Sequence, residues 1–176
     1  MMRWLKYIPV LSALLAVAAF ARGTYQEPDD FLREVFAGAP PEPQFVWLRE
    51  ELRETANTIL GHHYPGLRIR YWREGKRSAW ILEEIGKEKP ITVGLVVNDT
   101  GLETIRVLVF RESRGWEVRH PFFTDQFAGA SLSDNYQLDR NIDGISGATL
   151  SVRALKKLAR LALYLHSQSA AANDAP

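Results

Sequence analysis

The sequence has no cysteine, which excludes disulfide bonds, thiolate metal sites and thiol-based catalysis. A marked excess of charge is also missing, since 22 basic and 21 acidic residues give a formal net charge of +1. Arg3 and Lys6 supply two of the basic residues, so positions 22–176 carry 20 basic and 21 acidic residues, a net charge of −1. A near-neutral domain lacks the positive field of non-specific nucleic-acid binding, and we expect no nucleic-acid partner.

The first 21 residues have the pattern of an export signal. Arg3 and Lys6 precede an apolar run at residues 7–21, which ends in a small-x-small sequence at Ala21. As a helix this run would be roughly 22 Å long, shorter than the roughly 30 Å of bilayer hydrocarbon. We expect a cleaved secretory signal peptide or a retained membrane anchor; a buried core helix of a cytosolic domain is the alternative. Both main readings place the rest of the chain in the periplasm or at the periplasmic face of the cytoplasmic membrane, because the positive flank stays inside.

Proline and helical periodicity divide the next part of the chain into segments. Residues 22–43 are predicted to be a tether with one short helical piece at residues 29–36, because the prolines that follow prevent its continuation. A helix is predicted over residues 44–60, where apolar residues recur at helical spacing. The domain proper is predicted to span residues 44–168, followed by a disordered tail at residues 169–176.

Beyond the first predicted helix the apolar period changes to two, which is the spacing of half-buried β-strands. Four strands are predicted, at residues 67–71, 78–83, 91–97 and 103–110. Short polar turns between them favour an antiparallel meander over a parallel βαβ sheet. From Thr149 onward an apolar stripe opposite a basic face predicts a helix that closes over the sheet. The sequence therefore predicts an α+β fold, a small antiparallel sheet with a packed C-terminal helix.

The loop before this helix, residues 143–149, reads Asp-Gly-Ile-Ser-Gly-Ala-Thr and carries the clearest chemical signal. One interpretation is structural, a glycine turn followed by a Ser or Thr N-cap. The other is a phosphate site, because the unpaired N–H groups and the positive dipole end of a helix attract anions. Gly144, Gly147 and the small Ala148 would allow close approach of a phosphate, and the Thr149 hydroxyl would lie beside it.

The same loop resembles the flavinylation motif of the bacterial FMN-binding domain family, written loosely as Asp-Gly-x-(Ser/Thr)-Gly-Ala-Thr. That family includes the FMN-carrying subunits of the sodium-translocating NADH:quinone reductase and of Rnf-type electron transport complexes. The resemblance implies that FMN is joined to Thr149 through a phosphodiester, by a flavin transferase that uses FAD and Mg²⁺. It also implies cofactor-binding or recognition roles for the other matched positions: Asp143, Gly144, Ser146, Gly147 and Ala148.

A second stretch resembles the same family. Residues 112–115 read Glu-Ser-Arg-Gly, and a Gln-Phe pair follows at Gln126, similar to the family's Glu-Thr-x-Gly-Leu-Gly loop and its following Gln-Phe. The chain departs from the pattern, since serine replaces threonine and Trp-Glu stands where Leu-Gly is usual. The resemblance implies that Glu112, Gly115 and Trp116 shape one wall of the isoalloxazine site. Three aromatic side chains could stack on the ring or fill the core: Trp116, Phe122 and Phe123.

Other polar residues give weaker signals. His62 and His63 are adjacent and precede a Tyr-Pro-Gly turn, so a loop is favoured over a metal site. Glu83 and Glu84 are paired carboxylates, but neighbours on a strand point to opposite faces, and Glu84 is expected with Lys87 around a turn. The basic face of the last helix is expected to be a solvated surface: Arg153, Lys156, Lys157 and Arg160.

These patterns and the resemblance together predict an extracytoplasmic electron-transfer flavoprotein with FMN covalently bound to Thr149. It would act as a subunit or partner of a membrane oxidoreductase, and the tether would let the domain swing between donor and acceptor. A self-contained flavin reductase is one alternative and would need a substrate pocket beside the ring. A periplasmic phosphate-ligand binding or assembly module, without covalent flavin, is the other.

Overall fold

The computed structural model describes residues 23–173. The predicted signal peptide or anchor at residues 1–21 lies outside this range, as do residues 174–176 of the predicted tail. None of the helices within residues 23–173 is long and apolar enough to cross a membrane. The described elements follow the chain in this order: α1 (Pro28–Val35), β1 (Gln44–Trp47), α2 (Glu50–Leu60), β2 (Arg68–Glu74), β3 (Arg77–Ile85), β4 (Pro90–Asn98), β5 (Gly101–Phe110), α3 (Pro121–Thr124) and α4 (Thr149–Asn173).

The five strands form one antiparallel sheet in the order β1-β2-β3-β4-β5. The α+β class, the meander and the C-terminal helix are therefore confirmed. Short turns join β2 to β3, β3 to β4 and β4 to β5, whereas α2 lies between β1 and β2. In the turn after β4 the Asn98 side-chain oxygen accepts a hydrogen bond from the Thr100 N–H at 2.9 Å. Asn98 then pairs with Gly101 at the start of β5, as its turn-forming residues predict.

The sheet lies between α4 on one face, called the inner face, and α1 on the other, called the outer face. Residues 91–97 of β4 are all buried because both faces are covered there. The apolar stripe of α4 joins the main core on the inner face as predicted: Ala154, Leu155, Leu158, Leu161, Ala162 and Leu165. Because each fully buried leucine contributes about 1.5–3 kcal/mol, this stripe is sufficient to hold α4 against the sheet.

The helix predicted over residues 44–60 begins later than expected. Its first four residues form β1, which pairs with the beginning of β2, and only α2 is helical. Val46 is buried, whereas its neighbours Phe45 and Trp47 are 41% and 49% exposed. The prediction is wrong for this short piece because pairing with a distant strand decides its conformation, and apolar spacing over four residues does not distinguish a strand from a helical turn.

The outer face is covered in part by α1, which lies within the segment predicted as a tether. Phe31 is buried against Gly94 of β4, where an added Cβ would lie 2.7 Å from the Phe31 ring. Leu32 and Phe36 are buried in the same small cluster. This part of the segment is therefore packed on the sheet and does not act as a free linker.

The chain is also held where the description begins. The Gly23 carbonyl accepts a hydrogen bond from the Phe110 N–H at 2.7 Å, and Thr24 forms an antiparallel bridge with Val109. These contacts extend the sheet beyond β5 and cover part of its edge. Residues 23–24 consequently have a defined position on the domain.

α4 continues to Asn173, into the segment predicted as a disordered tail. Ser169 is buried, and its hydroxyl accepts a hydrogen bond from Nη2 of Arg73 at 2.9 Å. The same nitrogen donates to the His166 carbonyl at 3.2 Å. α4 therefore includes residues 169–173, and β2 supplies partners for His166 and Ser169 that the local sequence does not reveal.

Candidate functional site

The loop at residues 143–149 leads directly into α4. Gly147 has a φ of +82°, a conformation that glycine adopts at little cost. The Ala148 N–H donates to the Ile145 carbonyl at 3.0 Å, and the Ala148 carbonyl accepts the first hydrogen bond of the helix, from the Val152 N–H at 2.9 Å. The loop therefore ends in a tight turn, and Ala148 occupies the N-cap position.

Thr149 is the first helical residue and does not cap α4. The structural interpretation of the loop, in which a Ser or Thr is the N-cap, is therefore wrong for Thr149. Its side chain is exposed, and the hydroxyl makes no hydrogen bond to another residue within residues 23–173. The N–H groups of Thr149, Leu150 and Ser151 precede the first helical hydrogen bond and have no acceptor within the helix. The start of α4 thus presents backbone donors and a hydroxyl together.

This helix terminus is suited to an anion. The aligned peptide dipoles of a long helix place about half a positive charge at its start, and α4 has 25 residues. A Cβ added at Gly144 or Gly147 would meet no atom within 4 Å, so the space beside the loop is open. Asp143 and Ser146 are also exposed. The residues present fit a phosphate group bound beside Thr149.

Gln126 positions the beginning of the loop. Its Oε1 atom accepts a hydrogen bond from the Asp143 N–H at 2.7 Å. The Asp143 carboxylate accepts a further hydrogen bond from Asn141 Nδ2 at 3.0 Å. The resemblance included Gln126 without assigning it a role, and it is missing from the predicted site residues. The structure shows that it supports the loop from outside it.

Gly115 brings the second stretch of the resemblance against the start of α4. Its φ is +85°, and an added Cβ would lie 2.7 Å from Ser151 Oγ and 3.4 Å from the Ala148 Cβ. Both the backbone conformation and the close contact favour glycine at this position. The two stretches that were identified separately in the sequence are therefore neighbours in the fold.

Glu112 lies at the beginning of the same stretch but turns towards the β3–β4 turn. Its Oε1 atom accepts hydrogen bonds from the N–H groups of Lys87, Glu88 and Lys89 at 2.5, 2.7 and 3.0 Å. Partial burial raises the pKa of Glu112, but these three donors outweigh burial and leave the pKa below its usual value. The hydrogen bonds favour an indirect role, in which Glu112 fixes the position of the strand ends beside the site; its predicted contact with the cofactor stays a prediction.

The aromatic residues near Gly115 divide into a buried and an exposed group. Phe123 is fully buried and packs edge-on against Phe127, with ring centroids 5.5 Å apart, so it fills the core. Trp116 is 43% exposed and Phe122 is 63% exposed. Trp116 also lines a cleft of about 440 Å³ beside the loop that contains Gly115. Of the three aromatic candidates, Trp116 is the one that directly follows Gly115, whose backbone approaches Ala148 and Ser151 at the start of α4.

A buried carboxylate on β3 contacts α4 beyond the first turn of the helix. Glu84 is 5% exposed and contacts Lys157 Nζ at 2.9 Å through one oxygen and His62 Nε2 at 2.9 Å through the other. The hydrogen bond to Glu84 raises the pKa of His62. The expectations that Glu84 lies with Lys87 around a turn and that Lys157 is solvated are therefore wrong: the strand directs Glu84 onto α4.

Glu84, His62 and Lys157 do not form part of a metal site within residues 23–173. No group of three or more histidine, aspartate or glutamate side chains within residues 23–173 is arranged to hold a metal ion. Within residues 23–173, the start of α4 combines an open space, backbone donors and an exposed hydroxyl.

The described chain is an α+β domain in which a glycine loop at the start of the C-terminal helix presents a threonine hydroxyl, backbone donors and a nearby tryptophan. These features are those of a small domain suited to a phosphate-bearing ligand at a helix terminus. The family model described as the FMN-binding domain matches residues 86–164. The resemblance is confirmed: the chain carries an FMN-binding domain, which supports a flavin-binding role with FMN as the cofactor. Comparison with the curated proteins and with the solved structures gives no significant match.

Proposed function

We propose that the protein carries FMN covalently, through a phosphodiester on Thr149, and transfers electrons outside the cytoplasm as a subunit or partner of a membrane oxidoreductase. The observation that carries the proposal is the exposed Thr149 hydroxyl at the start of α4. A threonine that capped the helix would have its hydroxyl engaged by a backbone N–H. At the first helical position the hydroxyl is available for chemistry, beside donors suited to a phosphate.

The attachment is made by a flavin transferase that uses FAD and Mg²⁺. The Thr149 oxygen forms a bond to the phosphorus of the FMN portion of FAD, the bond from that phosphorus to the AMP portion breaks, and AMP leaves. The hydroxyl proton passes to the transferase or to water. The chain contributes the hydroxyl and the N–H groups that stabilise the phosphate charge. The transferase recognises the exposed loop through Asp143, Gly144, Ser146 and Gly147, while Ala148 sets the turn.

Bound FMN supplies reversible electron transfer. On the protein side, Trp116 would lie against the ring, while Gly115 allows its loop to approach α4 and Glu112 holds the neighbouring strand ends. A covalent phosphate link keeps the cofactor bound in every redox state, because affinity no longer limits occupancy. This property suits a carrier that works outside the cytoplasm, where released FMN is lost.

The test is expression of the full chain in a bacterium that also makes a periplasmic flavin transferase. The wild-type protein should give a fluorescent band on a denaturing gel under ultraviolet light and gain the mass of FMN less one water, mapped to Thr149. Thr149→Val removes the hydroxyl with little change in shape and should abolish both signals. Thr104→Val, on β5 and outside the loop, is the matched control and should stay fluorescent. Full covalent flavin in Thr149→Val would rule out the assignment.

The competing function is a phosphate-ligand binding or assembly module without covalent flavin. The same backbone N–H donors at the start of α4 favour this function, because they bind a free anion equally well. Such a protein would be colourless and of unmodified mass in cells whose transferase labels a control protein, and would bind inorganic phosphate. A flavin reductase would instead reduce a small acceptor without any protein partner.

A further inference from the structure

α1 leaves part of the outer face of the sheet uncovered. This part lies on β1, on the beginning of β2 and at Arg49, two residues after the end of β1. Arginine and aromatic side chains alternate there, and we call this set the β1–β2 surface: Phe45, Trp47, Arg49, Arg68 and Arg70. It lies outside residues 86–164, the part that matches the FMN-binding domain, and the flavin function does not use it.

The arginines of the β1–β2 surface lie over aromatic rings. The Arg68 guanidinium is 4.1 Å from the Phe45 ring centroid and 5.3 Å from that of Trp47, and Arg70 lies 5.3 Å from that of Trp72. Within residues 23–173, neither Arg68 nor Arg70 forms an ion pair with a carboxylate. Their charges are therefore held in place but not neutralised, and the surface favours an anionic partner.

Acidic residues also border the adjoining cleft, which has a volume of about 990 Å³. Glu83 is engaged by the Thr92 hydroxyl at 2.5 Å and by Arg111 at 3.5 Å. Glu27 and Asp29, at the beginning of α1, line the same cleft as Arg68 and Arg70. Within residues 23–173 neither carboxylate forms an ion pair with these arginines. The arginines of the β1–β2 surface are thus not paired with these carboxylates.

Residues 23–24 are fixed on the domain, and the apolar run of the sequence lies just before them. Thr24 lines the same cleft as Arg68 and Arg70, and Gly23 is fixed to Phe110. The apolar run of the sequence ends at Ala21, so only two residue steps, about 7 Å of extended chain, separate it from Gly23. An anchor formed by that run would leave the domain little length to swing and would keep it close to the bilayer.

We propose that the β1–β2 surface docks on a bilayer of anionic phospholipid. Arginine binds the headgroup phosphates, and the exposed rings of Phe45 and Trp47 enter the interfacial region, where amphipathic aromatic side chains are favoured. The inference rests on the proposed location outside the cytoplasm but not on flavin attachment.

The first test measures contact with lipid. Protein isolated from expressing cells, with residues 1–21 as the cell leaves them, is mixed with vesicles of phosphatidylglycerol and phosphatidylcholine that carry brominated acyl chains. Bromine quenches tryptophan close to it, so the wild-type chain should lose more fluorescence than Trp47→Phe. Trp116→Phe, which removes the comparably exposed tryptophan of the flavin side, is the matched control and should quench like wild type. Quenching that disappears in Trp116→Phe but not in Trp47→Phe would overturn the proposal.

The second test measures charge dependence. Replacement of Arg68 and Arg70 by glutamine should weaken binding to the phosphatidylglycerol vesicles about tenfold or more, whereas Arg153→Gln on α4 should leave it unchanged. Vesicles of phosphatidylcholine alone should bind weakly. Equal binding of the double variant and the wild type would overturn the proposal, as would binding only to a membrane protein and not to lipid. Thr149→Val should dock like wild type, so a failure of the flavin assignment is distinguishable from a failure of docking.

Discussion

Gly115 and Ser151 are in contact across the candidate site, since a Cβ added at Gly115 would lie 2.7 Å from Ser151 Oγ. Ser151 is buried in the first turn of α4, and Gly115 begins the turn that carries Trp116. The absence of a side chain at position 115 therefore allows the loop after β5 to approach the helix that carries Thr149. The position of Trp116 relative to Thr149 depends on this contact.

Gly115→Ala should lower both the free energy of unfolding and the covalent flavin content. Alanine at a φ of +85° and a Cβ that displaces Ser151 together cost about 1–3 kcal/mol. Urea unfolding and flavin absorbance per protein measure the two effects. Gly144→Ala is the stability control, because its Cβ would meet no atom within 4 Å. Equal stability of Gly115→Ala and wild type would contradict the role of the contact.

Gln126→Ala should slow flavin attachment while changing stability by only about 1 kcal/mol, because it removes one partly exposed hydrogen bond to the Asp143 N–H. The rate is measured with purified transferase and FAD by the growth of in-gel fluorescence. Gln126→Glu retains an acceptor oxygen of the same reach and should restore the rate in part. A glutamate variant as slow as the alanine variant would show that the acceptor oxygen is not what matters.

Glu84→Ala should destabilise the protein by about 2 kcal/mol. It leaves Lys157, 21% exposed at its side chain, without its carboxylate partner, and unpaired charges of this kind cost more when they are buried. Chemical unfolding at neutral pH measures the loss. Glu83→Ala, on the opposite face and 53% exposed at its side chain, should cost less than about 1 kcal/mol. Similar losses in the two variants would contradict the assigned difference in burial.

His166 should make stability depend on pH in the acidic range. Burial, together with the nearby Arg73 charge, lowers the pKa of His166 from 6.5 to about 4. The unfolded chain therefore binds the proton first, and stability is full above about pH 6.5 and falls as the pH decreases towards 4. After allowance for partial solvent screening, the loss between pH 7 and pH 5 is about 1–2 kcal/mol.

The measurement is urea unfolding at several pH values for wild type and His166→Asn. Asparagine preserves a hydrogen-bonding group near Ser78, whose hydroxyl lies 2.7 Å from His166 Nδ1, but does not titrate. The variant should be less stable at neutral pH and should lose less stability between pH 7 and pH 5. An unchanged pH dependence would exclude His166 as its source.

Local patterns were sufficient for much of the fold. The strands β2–β5 alternate apolar and polar residues or are wholly apolar, and α4 has an apolar stripe that needs no distant information to recognise. β1 could not be predicted, because Val46 faces the core only when β2 is beside it. For the same reason α1 was predicted as a helix while its packing of Phe31 on Gly94 was not.

The sequence by itself determined which residues form the candidate site. The loop at residues 143–149 is contiguous, so its glycines, its threonine and its place before an amphipathic helix are all readable without coordinates, and the match at residues 86–164 agrees. Only the tertiary structure decided that Ala148, not Thr149, is the N-cap, that Gln126 holds Asp143, and that Glu84 faces Lys157. The N-cap is set by which carbonyl accepts the first helical hydrogen bond. The other two contacts join residues that are distant in sequence, so they form only when the sheet and α4 are packed together.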